Sequence, residues 1–180
     1  MGYDERIELQ SHDPKWVDIF EREALRIIDA LGGAVVDIEH FGSTAVEGLL
    51  AKPVVDVLVG VESLEAVQPH VLDITALGYE YFGEDGVPGR LLLRRRPDDG
   101  VAVNVAIVEH DGELWRQNLL FRDFLRADEN REWAEKYAER KREIVEEEGI
   151  DTLLAYSDAK ADIIGKLMTL ARAWQEGDNN

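Results

Sequence analysis

Residues 40–60 read HFGSTAVEGLLAKPVVDVLVG, and this stretch decides the fold. Ala34 to Phe41, which runs into it, is rich in β-branched residues and reads as a strand. Gly42-Ser43-Thr44 then supplies free φ, backbone N–H groups and two hydroxyls, a combination suited to cradling phosphate oxygens. After a loop with room for one helical turn, Val54 to Val61 is a near-continuous apolar run between Pro53 and Glu62, as in a central strand. Side chains alternate across a strand, so Val55, Val57, Val59 and Val61 share one face and Val54, Asp56 and Leu58 the other. A carboxylate in mid-strand is costly to bury unless it is paired or binds a metal. Asp56 is therefore expected on the open side of the sheet, beside the glycine turn. The alternative is a structural carboxylate that caps Ser43 or pairs with Lys52.

A second strand repeats the pattern. In Val101 to Val108, Val101, Val103, Val105 and Ile107 form an apolar face, and Ala102, Asn104 and Ala106 a small, polar one. Small side chains around one amide leave room for a ligand or, equally, for a packed helix. Further out, Ile7–Gln10 reads as a short strand. Asp13-Pro14 marks a helix start, followed by an apolar stripe at Trp16, Phe20, Ala24, Ile27, Ile28 and Leu31 that Gly32-Gly33 ends. Ser63 to Leu77 is helical in period, with Pro69 kinking it or delaying its start. Tyr79–Phe82 and Arg90–Arg96 are strands between glycine- and proline-marked turns. Beyond Glu113 the period is helical, with helices expected near 112–127, 129–148 and 158–175 and a short piece at 151–156. The fold class is α+β: a mixed, mostly antiparallel sheet packed by helices, within a single domain that is strand-rich over 1–110 and helical over 111–175.

Composition narrows the chemistry. The 180 residues include no cysteine, which removes disulfides, thiolate metal sites and a cysteine nucleophile. No apolar run approaches ~18 residues, and the first ten residues, MGYDERIELQ, lack the apolar core of a signal peptide, so a soluble cytoplasmic protein is expected. The net charge is −18, a surface that repels DNA and anionic lipid. Abundant carboxylate with little lysine suits a salt-rich cytoplasm, where charge repulsion is screened. A halophilic source and an ordinary acidic protein are the two readings of that balance.

GSTAVEGLLAKPVVDVLV (42–59) resembles the signature of the GrpB family, GSTAVPGLxAKPxIDI, and FRDFLR (121–126) resembles that family's FRDYLR. Tyr137 with Lys141, and Tyr156 with Lys160, resemble its two later tyrosine–lysine pairs, so the likeness runs from about Trp16 to Trp174. The family belongs to the nucleotidyltransferase-fold superfamily. The resemblance therefore implies a nucleotidyltransferase-like sheet and a site for a nucleoside triphosphate with Mg²⁺. Three departures stand out. Glu47 occupies the family's proline position. The strand offers Asp56-Val57-Leu58 in place of two alternating carboxylates. Val103-Asn104-Val105 stands where the family shows HLH. Two-metal phosphoryl chemistry needs several hard oxygen ligands, and this set is incomplete. Glu39 is a candidate second ligand; Glu109 lies on the valine face and is a poor one.

In so acidic a chain, basic residues carry information. Arg90, Arg94 and Arg96 share a strand face, Lys52 precedes Asp56, and Arg122, Arg126, Lys141 and Lys160 lie on the C-terminal helices. Arginine offers phosphate bidentate contacts and lysine a point charge. Arg94-Arg95-Arg96 equally suits protection of an exposed sheet edge. His40 is read as a hydrogen-bonding support for the turn, and the four tryptophans as core.

Three readings follow. In the first, an enzyme holds a nucleoside triphosphate with Gly42, Ser43 and Thr44, binds Mg²⁺ through Asp56, neutralises charge with Lys52 and Arg122, and transfers a nucleotidyl group to an unknown acceptor. In the nucleotide site, Arg90, Asn104, Lys141 and Lys160 complete the binding set. In the second, a non-catalytic module on the same fold binds a nucleotide or a phosphorylated metabolite, such as a coenzyme A precursor, without turnover. A purely structural interaction protein is the third, and would respond to no ligand.

Overall fold

The computed structural model describes residues 8–97, 100–147, 150 and 152–178. Helix α1 (Lys15–Leu31) begins as its sequence predicts, with Asp13 Oδ1 accepting the Lys15 N–H at 3.0 Å. Strands β1 (Val35–Phe41) and β2 (Val54–Val61) pair antiparallel, with Phe41 opposite Asp56. The segment 63–77 divides at its proline. Leu64–His70 is 3₁₀, and α2 is confined to Val71–Ala76, because a proline ring cannot sit inside an α-helical ladder. Strands β3 (Glu80–Gly83), β4 (Arg90–Arg95) and β5 (Ala102–Glu109) follow, then helices α3 (Glu113–Arg126), α4 (Arg131–Glu146), α5 (Leu153–Ala159) and α6 (Ala161–Asp178). The strand expected at Ile7–Gln10 reduces, among the described residues, to one bridge between Gln10 and Ala51; Ile7 lies outside them.

The sheet order is β1-β2-β5-β4-β3, with β2 and β5 parallel and the other pairs antiparallel. The mixed, mostly antiparallel sheet is thus as the alternation and turn pattern imply. Its two faces are divided as the sequence divides them. Val55, Val57, Val59 and Val61 join Val103, Val105, Ile107, Leu91 and Leu93 in a core closed by Trp16, Ile27 and Leu31 of α1 and Ile74 of α2. Each such side chain contributes about 1.5–3 kcal/mol by leaving water.

The opposite face is shared. Leu58, Ala106 and Val108, toward the carboxyl ends of the parallel pair, are covered by Trp115 of α3. Asp56, Asn104 and Ala102, toward its amino ends, are left for a cleft. The small face of β5 therefore does both jobs: Ala106 admits a helix, while Ala102 and Asn104 admit open space. A further core ties α3, α4 and α6 to the loop after the glycine turn, with Val46 and Leu49 against Phe124, Tyr137 and Leu167. Among the described residues no helix is long and apolar enough to cross a membrane.

Candidate functional site

The turn after β1 is built by one glycine. Gly42 has φ 71° and ψ −172°, a conformation that side-chain-bearing residues avoid. A Cβ placed there would collide with Asp56 Oδ2 and lie 3.1 Å from Asp56 Cβ and Cγ. The absent side chain is what lets the Asp56 carboxylate sit against the turn.

The turn is held from behind. His40 Nε2 lies 3.1 Å from Thr44 Oγ1, and its ring stacks on Phe20 with centroids 4.9 Å apart. Burial pushes the His40 imidazole down to about 4, helped by the nearby Arg126 and Arg122, so it is neutral at pH 7. Arg122 Nη1 donates to Glu39 Oε2 at 2.6 Å and to the His40 carbonyl at 3.0 Å, and Arg126 Nε donates to the Ala45 carbonyl at 2.8 Å. The FRDFLR segment thus braces the turn.

In front of the turn, three strands set polar groups side by side. Asp56 on β2 is in register with Asn104 on β5, and Asn104 with Arg94 on β4. Asn104 Nδ2 donates to Asp56 Oδ1 at 2.9 Å. Burial raises the Asp56 carboxyl above its ordinary range, opposed by that hydrogen bond and by Lys52, Lys160 and Arg94.

The C-terminal helices close the other wall. Lys141 of α4 is 1% exposed, and its Nζ donates to the Leu50 carbonyl and to Ser43 Oγ (3.2 Å), 4.5 Å from the centroid of the Tyr137 ring. Lys160, between α5 and α6, has its Nζ 4.3 Å from the centroid of the Tyr156 ring; Lys52 Nζ lies 5.2 Å from the same centroid. Burial, with neighbouring cations, depresses Lys141 to about 7 and Lys160 to about 8.

The result is a cleft of about 210 Å³ lined, among the described residues, by five basic side chains, Lys52, Arg94, Arg96, Lys141 and Lys160, and one carboxylate, Asp56. Ser43, Thr44, Asn104, Tyr156 and Ser157 add polar groups. Of the residues expected from sequence, Ser43, Thr44, Lys52, Asp56, Asn104, Lys141 and Lys160 converge here, and Gly42 backs the carboxylate.

Three do not converge, Arg126 among them, since it is spent on the Ala45 carbonyl. Arg90 lies at the far end of β4, where its Nη2 donates to the Glu84 and Asp85 carbonyls at 3.3 and 3.2 Å. Arg122 stands behind the turn, paired with Glu39 and Asp123. Arg94 and Arg96 face the cleft, while Arg95, on the opposite face, bonds the buried Glu23 at 2.7 Å. Ser157 carried no signal in the sequence. Lys141 did: it falls on the same helical stripe as Tyr137, Ile144 and Val145, where a lysine must be buried.

These residues do not fit a protein-held Mg²⁺. Among the described residues no three His, Cys, Asp or Glu side chains converge. Glu39, the candidate second ligand, is engaged by Arg122 at 2.6 Å, and Glu109 is exposed at the far end of β5. Around Asp56 the neighbours are cations and an amide, where a hard metal needs further oxygens. The lining matches an anion instead.

Comparison with known proteins gives concordant matches. The family model described as GrpB protein matches residues 6–170. The UPF0157 protein SCO7215 of Streptomyces coelicolor is 38% identical over 167 residues, 93% of this chain and 85% of that protein. The crystal structure of conserved protein GrpB from Enterococcus faecalis superposes with a TM-score of 0.82 at 34% identity, covering 93% of this chain and 99% of that one. The dephospho-CoA kinase of Mycobacterium bovis is 40% identical over 70 residues, 37% of this chain and 17% of that protein.

Proposed function

The chain belongs to the GrpB family, and from that membership and the cleft we propose that it binds a phosphorylated small molecule, phosphate end inward. The observation that carries this reading is that five basic side chains line one cleft with Ser43 and Thr44, among the described residues of a chain of net charge −18. Phosphate oxygens would accept from the Ser43 and Thr44 hydroxyls, from the lysine ammonium groups and from the Arg94 and Arg96 guanidinium groups, as charge-assisted hydrogen bonds. The cleft, about 210 Å³, is smaller than the usual ligand pocket of about 300–1,000 Å³, so it suits the phosphates while the rest of the ligand lies at the mouth. Nucleotides and coenzyme A precursors both have that form. The partial likeness to a protein named dephospho-CoA kinase supports including the latter.

A second reading is nucleotidyl transfer from a nucleoside triphosphate, with Mg²⁺ arriving on the substrate. The contact between the Gly42 turn and Asp56 favours it, because the resemblance to the nucleotidyltransferase-fold pattern implies a glycine turn beside an acidic strand. The test is thermal unfolding with inorganic phosphate, pyrophosphate, ATP and dephospho-coenzyme A, each with and without Mg²⁺. A ligand at about 100 times its Kd adds about 2.7 kcal/mol. Stabilisation that Lys160→Gln removes supports binding in the cleft, and pyrophosphate release from ATP with an acceptor supports transfer. If none of these anions raises the melting temperature beyond chloride at equal ionic strength, the proposal fails.

A further inference from the structure

The cleft carries the charge that a metal-dependent phosphate site borrows from its ions. Asp56, the one carboxylate lining it among the described residues, has Oδ1 taken by the Asn104 amide at 2.9 Å, while Oδ2 lies against Gly42. Lys141 reaches Ser43 Oγ at 3.2 Å from within the core. Lys160 and Lys52 approach the Tyr156 ring. Arg94 stands one strand beyond Asn104. Among the described residues, a divalent ion entering here would meet like charges at short range with one carboxylate to offset them, whereas a polyphosphate would meet opposite charges everywhere but at Asp56. A low-dielectric wall strengthens both effects.

Resting on the reading above, we propose that the cleft takes its ligand as the metal-free anion, with Lys52, Lys141 and Lys160 in the electrostatic role of divalent ions. Mg²⁺ then competes with the protein for the phosphates. Asp56 opposes the ligand's charge and serves as the positioning residue that holds the Asn104 amide.

Isothermal titration of the full chain with pyrophosphate, in EDTA and then in saturating Mg²⁺, decides the matter. The expected result is binding in EDTA that weakens at least about tenfold with Mg²⁺, since about 1.4 kcal/mol corresponds to each factor of ten. Asp56→Asn is expected to tighten binding in EDTA several-fold, because it removes a negative charge beside the anion. Lys160→Gln, whose circular dichroism is checked against wild type, is expected to weaken binding in EDTA about tenfold or more and to shrink the Mg²⁺ penalty. Binding that appears only with Mg²⁺, or an EDTA affinity unchanged in Lys160→Gln, overturns this proposal and leaves phosphate binding standing. No binding under either condition overturns both.

Discussion

Gly42→Ala puts the geometry of the turn to a quantitative test. At φ 71° and ψ −172° a residue with a Cβ pays about 1–3 kcal/mol in backbone strain. The new methyl also meets Asp56, with Cβ and Cγ at 3.1 Å and Oδ2 closer still. Forcing atoms into a filled space costs about another 1–3 kcal/mol. The sum, about 2–6 kcal/mol, is a large part of the roughly 5–15 kcal/mol that holds a domain folded. Gly48→Ala is the control, since Gly48 has φ 75° but nothing within 4 Å of a built Cβ, so only backbone strain of about 1–2 kcal/mol applies. Denaturant unfolding followed by tryptophan fluorescence reads the difference, with Trp16 and Trp115 both buried as reporters. The double variant Gly42→Ala/Asp56→Ala should recover about 1 kcal/mol or more relative to additivity, because the carboxylate is the obstacle. Equal costs for the two glycine variants, or strict additivity in the cycle, would refute the contact between turn and carboxylate.

Four further outcomes are expected. His40 has a folded-state pKa of about 4 against an ordinary 6.5, so the unfolded chain takes up its proton first; its contribution is complete above about 6.5 and is lost as pH falls toward 4. Denaturant titrations should show wild type losing on the order of 3 kcal/mol more than His40→Gln across that window. Arg95→Met should destabilise by about 2–4 kcal/mol, because Glu23, 0% exposed, keeps Arg26 and Tyr79 but loses its 2.7 Å partner. Arg94→Met, one residue away and on the cleft face, should cost less than about 1 kcal/mol of stability yet weaken anion binding. Lys160, near 8, loses its proton as pH rises. Calorimetric affinity for a phosphate ester should therefore fall between about pH 7.5 and 9.5, where the ester (second pKa about 6) is already ionised, and Lys160→Gln should flatten the fall. Finally, we propose adaptation to high salt from the −18 charge: the melting temperature should rise between ~0.1 and 3 M KCl, and an unchanged value removes the idea.

The faces of β2 and β5 were legible from alternation, since a two-residue period assigns every side chain to a face before any packing is known. Pro69 announced a break in the helical segment 63–77, though not its 3₁₀ form, and Asp13 the start of α1. The approach of Asp56 to the glycine turn was expected from the cost of burying a mid-strand carboxylate; the register that places residue 56 opposite residue 41 comes from the antiparallel pairing of β1 and β2. Arg122 shows where such reasoning ends. Its motif placed it near the turn, yet nothing in a linear pattern says whether a helix presents a guanidinium to the front of a loop or to its back.

The chain of residues by itself determined which face of each strand is apolar and where the helices begin and break, because these depend on neighbours within a few positions. Only the tertiary structure decided that Lys52, Lys141 and Lys160 share one hollow with Arg94, and that Arg90 and Arg122 stand outside it. Those positions are distant in sequence, and their meeting depends on strand register and on how α4, α5 and α6 pack across the sheet, which no local period encodes.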